Sequence, residues 1–372
     1  MEAEFEWAEG LQKQQEKGSL QTPKGRQLLS IGGAGPSMEL SRHWLMMSPM
    51  IRLLVFYGAL CLLTVSSAMR SQPAALQADQ PASRQEIESF WRATLQRAAK
   101  EPLEAEVEPV KEPLPYQKFR VTYRSLDGIR VRAYLGVPIR GEGPQQKLPG
   151  IVTAPGYGGS QQGVMLEDCQ RGYAVLQVYP RSQGESADLW KIDGPDKLTW
   201  RVDQPEGSYY QGAYVDVTRG IDYLLSRADI DASRVGAMGT SQGGGIVLAV
   251  AALDSRVKAV AAHVPFLCDM RRAALIPGAL VKTLLERRGA LNARTLRTLD
   301  YFDPANLVEG LRAPVLLSSG GQDAVCPPET IRSVFDRLPG IKSIVVYPAL
   351  PHTSSGDFYR MGWEWMDRHL GR

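Results

Sequence analysis

Between Ser83 and Lys100, apolar side chains fall at Ile87, Phe90, Trp91, Leu95 and Ala98. That is the three-and-four spacing of one helix face. Ser83 and Glu86 ahead of it stand as a capping box, and the helix is expected to stop near Lys100, before Pro102. The stretch 102–115 carries Pro102, Pro109, Pro113 and Pro115, and no regular element is expected there. From Lys118 the period changes to two. Lys118–Leu126 and Ile129–Val137 alternate around Asp127-Gly128, the signal of a β-hairpin with a type I′ turn. Beyond the hairpin, short apolar runs alternate with helical patterns. Strands are expected at Ile151–Ala154, Ala174–Tyr179, Arg234–Met238, Lys258–His263, Val315–Ser319 and Ser343–Tyr347, and helices at Tyr214–Ser226, Gly244–Leu253, Pro328–Arg337 and Asp357–Leu370. The pattern predicts an α/β fold: a mostly parallel, doubly wound sheet with helices on both faces and an N-terminal antiparallel hairpin. Two excursions interrupt it, Pro180 to Ala213 and Pro265 to Arg312, the second with helical stretches. They are expected to cover the site and shape its pocket; the alternatives are surface decoration or a subunit interface.

The chain before residue 84 reads differently. Residues 1–50 are polar with little periodicity and are expected to be disordered or a spurious N-terminal extension, with translation starting at Met46, Met47 or Met50. Residues 51–68 read as a signal peptide: Arg52 gives the positive end, Leu53 to Val65 is too short to span a bilayer comfortably, and Ser66-x-Ala68 is a small-residue cleavage site. Residues 69–83 form a polar linker, and 84–372 a single catalytic domain. The expected location is secreted or periplasmic, with an uncleaved membrane anchor as the alternative.

Composition narrows the partners. The net charge is +3 and Lys and Arg are scattered, so nucleic acid is not expected, nor a stable membrane partner once the leader is removed. Four cysteines are too few for a disulfide scaffold, and their spacing fits no metal site. No metal or cofactor is expected.

The candidate chemistry centres on Gly239-Thr240-Ser241-Gln242-Gly243. A strand-like run leads in and a small-residue helical run leads out, the context in which G-x-S-x-G is a nucleophile elbow. The alternative is a glycine-rich turn with no chemistry. In α/β-hydrolases the order is Ser, then Asp or Glu, then His. Of the four histidines, His43 precedes the serine, His263 sits in an apolar run as a packed strand residue, and His369 lies at the C-terminal helix end. His352, in a loop after a strand, is left as the general base. Asp323 is the acid just past the strand Val315–Ser319, its alternative role being a turn or cap; Asp300 and Asp303 are weaker rivals, with no strand before them. The oxyanion donors are expected to be the backbone N–H groups of Gln242 and of Tyr157, in the loop Pro155–Ser160. That loop lacks the Lys-Ser/Thr ending of a phosphate-binding loop. Arg181, Gln183 and Pro265 are candidates for the substrate pocket.

Together these residues resemble the acetyl xylan esterase / cephalosporin-C deacetylase family of α/β-hydrolases. The resemblance runs from about Glu86 to the C-terminus. It is carried by Ser89-Phe90-Trp91, Tyr209-Tyr210, Tyr214, Asp216, Arg219, Gly239-x-Ser241-Gln242-Gly243-Gly244, Tyr301-Phe302-Asp303 and Asp323-x-x-Cys326-Pro327-Pro328. It implies Ser241, Asp323 and His352 as a triad, Tyr157 and Gln242 as oxyanion donors, removal of acetyl groups from acylated sugars and small esters without a cofactor, and a homo-hexamer. Three positions depart from the family pattern: Ser182 and Pro155 stand where it has Gly and His, and Thr353 where it has Glu. They bear on the acetyl-xylan preference and the hexamer. A peptidase of prolyl-oligopeptidase type and a non-catalytic sugar-binding protein remain as alternatives.

Overall fold

The computed structural model describes residues 80–141, 146–194 and 196–371. The N-terminal extension, the signal-peptide segment and the linker up to residue 79 lie outside the described residues. All described residues belong to one unit, Asp79–Arg372.

Helix α1 (Arg84–Lys100) begins with the expected capping box: Ser83 Oγ accepts the Glu86 N–H, and the Glu86 carboxylate accepts the Ser83 N–H at 2.7 Å. Trp91 docks it. Its ring stacks on Tyr214 at 5.6 Å, and its Nε1 donates to the Tyr301 carbonyl at 2.7 Å.

The proline-rich stretch corrects the expectation of no regular element, because Glu106–Pro109 forms β1. It pairs antiparallel with β2 (Tyr116–Arg124) at the sheet edge. An edge strand needs N–H groups on one side only, so Pro109 at its end is tolerated. Glu106 and Glu108 pair with Arg130 and Arg120. The next turn joins β2 to β3 (Arg130–Pro138), with Asp127 at φ 61°, ψ 28° and Gly128 at φ 72°. Both signs are those a type I′ turn requires.

The remaining strands are β4 (Leu148–Thr153), β5 (Ala174–Tyr179), β6 (Ile230–Thr240), β7 (Val257–His263), β8 (Val315–Gly320) and β9 (Lys342–Tyr347). Among the described residues the sheet has nine strands in the order β1-β2-β3-β5-β4-β6-β7-β8-β9. Pairing is antiparallel as far as β3–β5 and parallel from there on. Every residue of β4 and β8 is buried, as parallel strands covered on both faces demand. Helix α2 (Tyr209–Ser226) starts five residues earlier than expected and packs Gly220 against Leu176 and Val178. Helix α3 (Gln242–Leu253) follows β6 and is buried from Gln242 to Ala251. Short helices α4 (Met270–Ala273), α5 (Leu280–Arg287), α6 (Ala293–Leu299) and α7 (Pro304–Leu307) fill the second excursion. Helix α8 (Pro328–Arg337) precedes β9. Helix α9 (Gly356–His369) sets Phe358, Trp363 and Met366 into a core with Ile151, Val175, Met238 and Ala261. Val175 and Leu176 alternate along β5, so α9 and α2 cover opposite faces. This is the α/β architecture that the hydrophobic pattern predicts.

Candidate active site

Parallel strands carry their reactive loops at their carboxyl ends. Ser241 sits between the end of β6 and the start of α3, at φ 53°, ψ −121°. The strained angle is therefore on the serine itself. The flanking glycines are needed for close approach instead: a Cβ on Gly243 would lie 2.1 Å from the Ala154 carbonyl oxygen, and one on Gly239 would meet the Gly243 carbonyl group at 2.5 Å. Three backbone bonds fix the turn. Ser241 N–H donates to the His263 carbonyl at 2.9 Å, and the Ser241 carbonyl accepts from Phe266 at 2.9 Å and Gly245 at 3.0 Å.

His352 follows β9 and brings Nε2 within 3.0 Å of Ser241 Oγ. Its Nδ1 lies 2.8 Å from Asp323 Oδ2. Asp323 Oδ1 accepts the N–H groups of Val325 at 2.9 Å and Cys326 at 2.7 Å. Its side chain is fully buried, whereas that of His352 is 21% exposed. A carboxylate acceptor calls for a proton on Nδ1, which leaves the Nε2 lone pair facing the hydroxyl. Chemically, such a chain can draw a proton from Oγ while the carboxylate stabilises the imidazolium.

The loop Pro155–Ser160 after β4 lies against the start of α3. Gln242 Nε2 donates to the Pro155 and Gly156 carbonyls, each at 3.3 Å, and to Gln183 Oε1 at 2.9 Å. Gln183 Nε2 in turn donates to the Gly156 and Tyr157 carbonyls, each at 3.1 Å. The first excursion reaches the same loop: Leu198 N–H donates to the Tyr157 hydroxyl at 3.2 Å, and the Lys197 ammonium lies 4.7 Å from the Tyr157 ring centre. The second supplies Phe266, edge-on to Tyr157 at 5.8 Å.

The three pocket candidates, Arg181, Gln183 and Pro265, are placed differently from one another. Arg181 is buried in a two-pronged pair with Asp216, at 3.0 Å from Nε and 2.8 Å from Nη2. Asp216 also accepts the Arg181 N–H and the Ser125 hydroxyl. Arg181 lines a cavity of about 210 Å³ with Trp190, Trp200 and Arg201, and none of Ser241, Asp323 or His352 borders it. Gln183 braces the Tyr157 loop with its amide. Pro265 lies beside α3 and lines a small apolar cavity with Phe266, Cys268 and Cys326.

The rivals for the acid are occupied elsewhere. Asp300 pairs with Arg271, and Asp303 accepts backbone N–H groups from Asp269, Met270 and Ala305. Cys169, Cys268 and Cys326 are buried and free. Burial pushes the Cys169 thiol up to about 12 and the other two well above the usual range, so all three are protonated near neutrality. Asp323, Cys326 and His352 bring donor atoms within 4.8 Å of one another, a spacing a metal ion can use, but two of the three are already hydrogen-bonded to each other.

His263 is buried, as its apolar run predicts, yet both ring nitrogens are bonded, Nδ1 with Ser318 Oγ and Nε2 with the Ser355 N–H at 2.9 Å. Burial above all, and then the nearby His352, depress its pKa to about 4. The sequence signal for this role is slight: one imidazole and one hydroxyl, each in an otherwise apolar strand.

The family model described as acetyl xylan esterase (AXE1) matches residues 76–369. Acetyl esterase Axe7A from Xylanibacter ruminicola is 32% identical over 173 residues, which are 45% of this chain and 38% of that protein, so the match spans well under half its length. The acetyl xylan esterase from Paenibacillus sp. R4 superposes with a TM-score of 0.70 at 29% identity, over 80% of this chain and 99% of that one. Acetyl xylan esterase 1 from Thermoanaerobacterium sp. JW/SL YS485 gives 0.71 at 22% identity, covering 79% and 95%, a likeness of fold alone. With an α/β-hydrolase sheet and a family match across nearly all the described residues, the chain belongs to the acetyl xylan esterase family, a family of carboxylic ester hydrolases.

Proposed function

We propose that this protein is a secreted serine carboxylesterase that removes acetyl groups from acetylated saccharides. The observation that carries the reading is the continuous chain from Ser241 Oγ through His352 to Asp323, at 3.0 and 2.8 Å. Ser241 Oγ attacks the ester carbonyl carbon as His352 Nε2 takes its proton. The N–H groups of Gln242 and Tyr157 stabilise the oxyanion. His352 then returns the proton to the leaving sugar oxygen, the C–O bond breaks, and an acetyl-serine remains. Water, deprotonated by His352, attacks that ester; acetate leaves and Ser241 regains its proton. Asp323 holds the imidazole in the required tautomer throughout.

The test is acetate release from acetylated xylan, xylo-oligosaccharides, cephalosporin C and 4-nitrophenyl acetate, beside Ser241→Ala. Release from the sugars that falls at least about 10³-fold in Ser241→Ala supports the reading. Release from 4-nitrophenyl acetate alone sinks the saccharide assignment, and near-wild-type turnover in Ser241→Ala sinks the nucleophile. Secretion rests on residues 51–68, and mass spectrometry of the exported protein should find a chain starting at Met69. The hexamer rests on family resemblance and is tested by sedimentation.

A further inference from the structure

Three active-site segments meet at one buried side chain. The His263 carbonyl holds the nucleophile turn through the Ser241 N–H at 2.9 Å. Its Nδ1 bonds Ser318 Oγ in β8, the strand that leads to Asp323; the same hydroxyl accepts the Val264 N–H at 3.0 Å. Its Nε2 accepts the N–H of Ser355, three residues past His352. Ser355 also caps α9 by accepting the Phe358 N–H, and the His263 ring stacks on Phe358 at 4.6 Å and 17°.

The partners fix the ring's state. With Nε2 accepting the Ser355 N–H, the proton sits on Nδ1 and is donated to Ser318, while the Thr353 carbonyl also lies against the ring and favours its protonated form. The loop that carries His352 is tied ahead of it by Gln322 N–H to the Leu350 carbonyl at 3.0 Å and Leu350 N–H to the Tyr347 carbonyl at 3.1 Å. Past His352, Thr353 and Ser355 both contact His263, the latter through its N–H at 2.9 Å. A residue serving only to fill the core would do so without polar atoms, because burying imidazole costs desolvation that leucine avoids.

We propose that His263 is the positioning residue for His352, setting imidazole and nucleophile in register through one neutral ring. The proposal rests on the reading of Ser241, His352 and Asp323 as the reacting groups. A shift of about 1 Å in a reacting group costs roughly 10²-fold in rate, which sets the expected effect.

The test compares His263→Phe, which keeps a stacking ring without nitrogens, with His263→Gln, whose amide oxygen can occupy the Nε2 position. His263→Phe should lower kcat on 4-nitrophenyl acetate about 100-fold with KM little changed, and His263→Gln should recover to within about 10-fold of wild type. The downfield proton resonance of the His352–Asp323 hydrogen bond should persist in His263→Gln and vanish in His263→Phe. A folded His263→Phe with wild-type kcat and an unchanged resonance overturns the proposal. Should His263→Phe not fold, His263→Asn replaces it, since its amide reaches the Nδ1 position only. A kcat at least about 10-fold below that of His263→Gln supports the proposal, and equal values overturn it. Activity retained in Ser241→Ala instead overturns the reading on which the proposal rests.

Discussion

Asp323 gives each oxygen a different task, one to His352 and one to the N–H groups of Val325 and Cys326. In Asp323→Asn the amide oxygen can keep the two backbone bonds, which turns the NH₂ toward His352. The imidazole must then expose a lone pair at Nδ1 and carry its proton on Nε2, facing Ser241. The expected loss in kcat is about 10⁴-fold, with the fold retained by circular dichroism; a loss under about tenfold would count against the tautomer argument. That Asp323 and His352 meet Ser241 was legible because chain order and strand ends limit the choices to a few residues. The pairing of Arg181 was not, since nothing local marks a partner such as Asp216, 35 positions away. Ser182 is a different case. It stands where the family pattern has glycine and adopts φ 64°. Its hydroxyl accepts the Ile192 N–H at 3.2 Å, which offsets a left-handed penalty of about 1–2 kcal/mol. Ser182→Gly should therefore change stability by no more than about 1 kcal/mol in urea titrations. A larger loss would mean that the hydroxyl contributes more than one ordinary hydrogen bond.

At the scale of elements, the family's scattered signatures become one assembly. Trp91 of α1, Tyr214 of α2 and Phe302 of the second excursion form one aromatic cluster, with Trp91 Nε1 on the Tyr301 carbonyl and the Tyr214 hydroxyl on the Phe302 carbonyl at 2.6 Å. Trp91→Ala should cost about 3–5 kcal/mol in urea unfolding, as a large aromatic deleted from a packed core does. A cost under about 1 kcal/mol would mean that α1 is dispensable to the core. Periodicity was enough to find α1, the hairpin and the central strands, because each has one buried face or none exposed. It failed at β1, whose four residues are all exposed and whose pairing depends on β2 rather than on its own pattern. It also placed the start of α2 late, because Tyr209 to Ala213 are buried on every side and show no amphipathic stripe.

For the whole molecule, strand order does what local pattern cannot. Three loops far apart in sequence converge because β6, β8 and β9 run parallel in one sheet with β7 between the first two. His263 ends that intervening strand, and its protonation links the site to global stability. Burial, followed by the charge on His352, depresses its pKa from 6.5 to about 4. The folded protein thus binds this proton less readily than the unfolded chain. The stabilisation is fully present above 6.5 and is lost as pH falls from there through about 4. Asp303 acts in the opposite sense. Burial raises it from 3.8 to about 7 against three backbone N–H donors, so its stabilisation is present below 3.8 and is lost as pH rises through 7. The two slopes oppose each other in the wild type, and raw stability curves mix them. A difference measurement separates them, since His263→Gln keeps Asp303 and removes only the imidazole. Between pH 7 and pH 4.5 the stability of the wild type relative to His263→Gln should fall by roughly 2–3 kcal/mol, read from urea midpoints. A gap that stays constant across that range would mean that the ring is as free to protonate in the folded protein as in the unfolded chain, and that Ser355 does not hold it neutral.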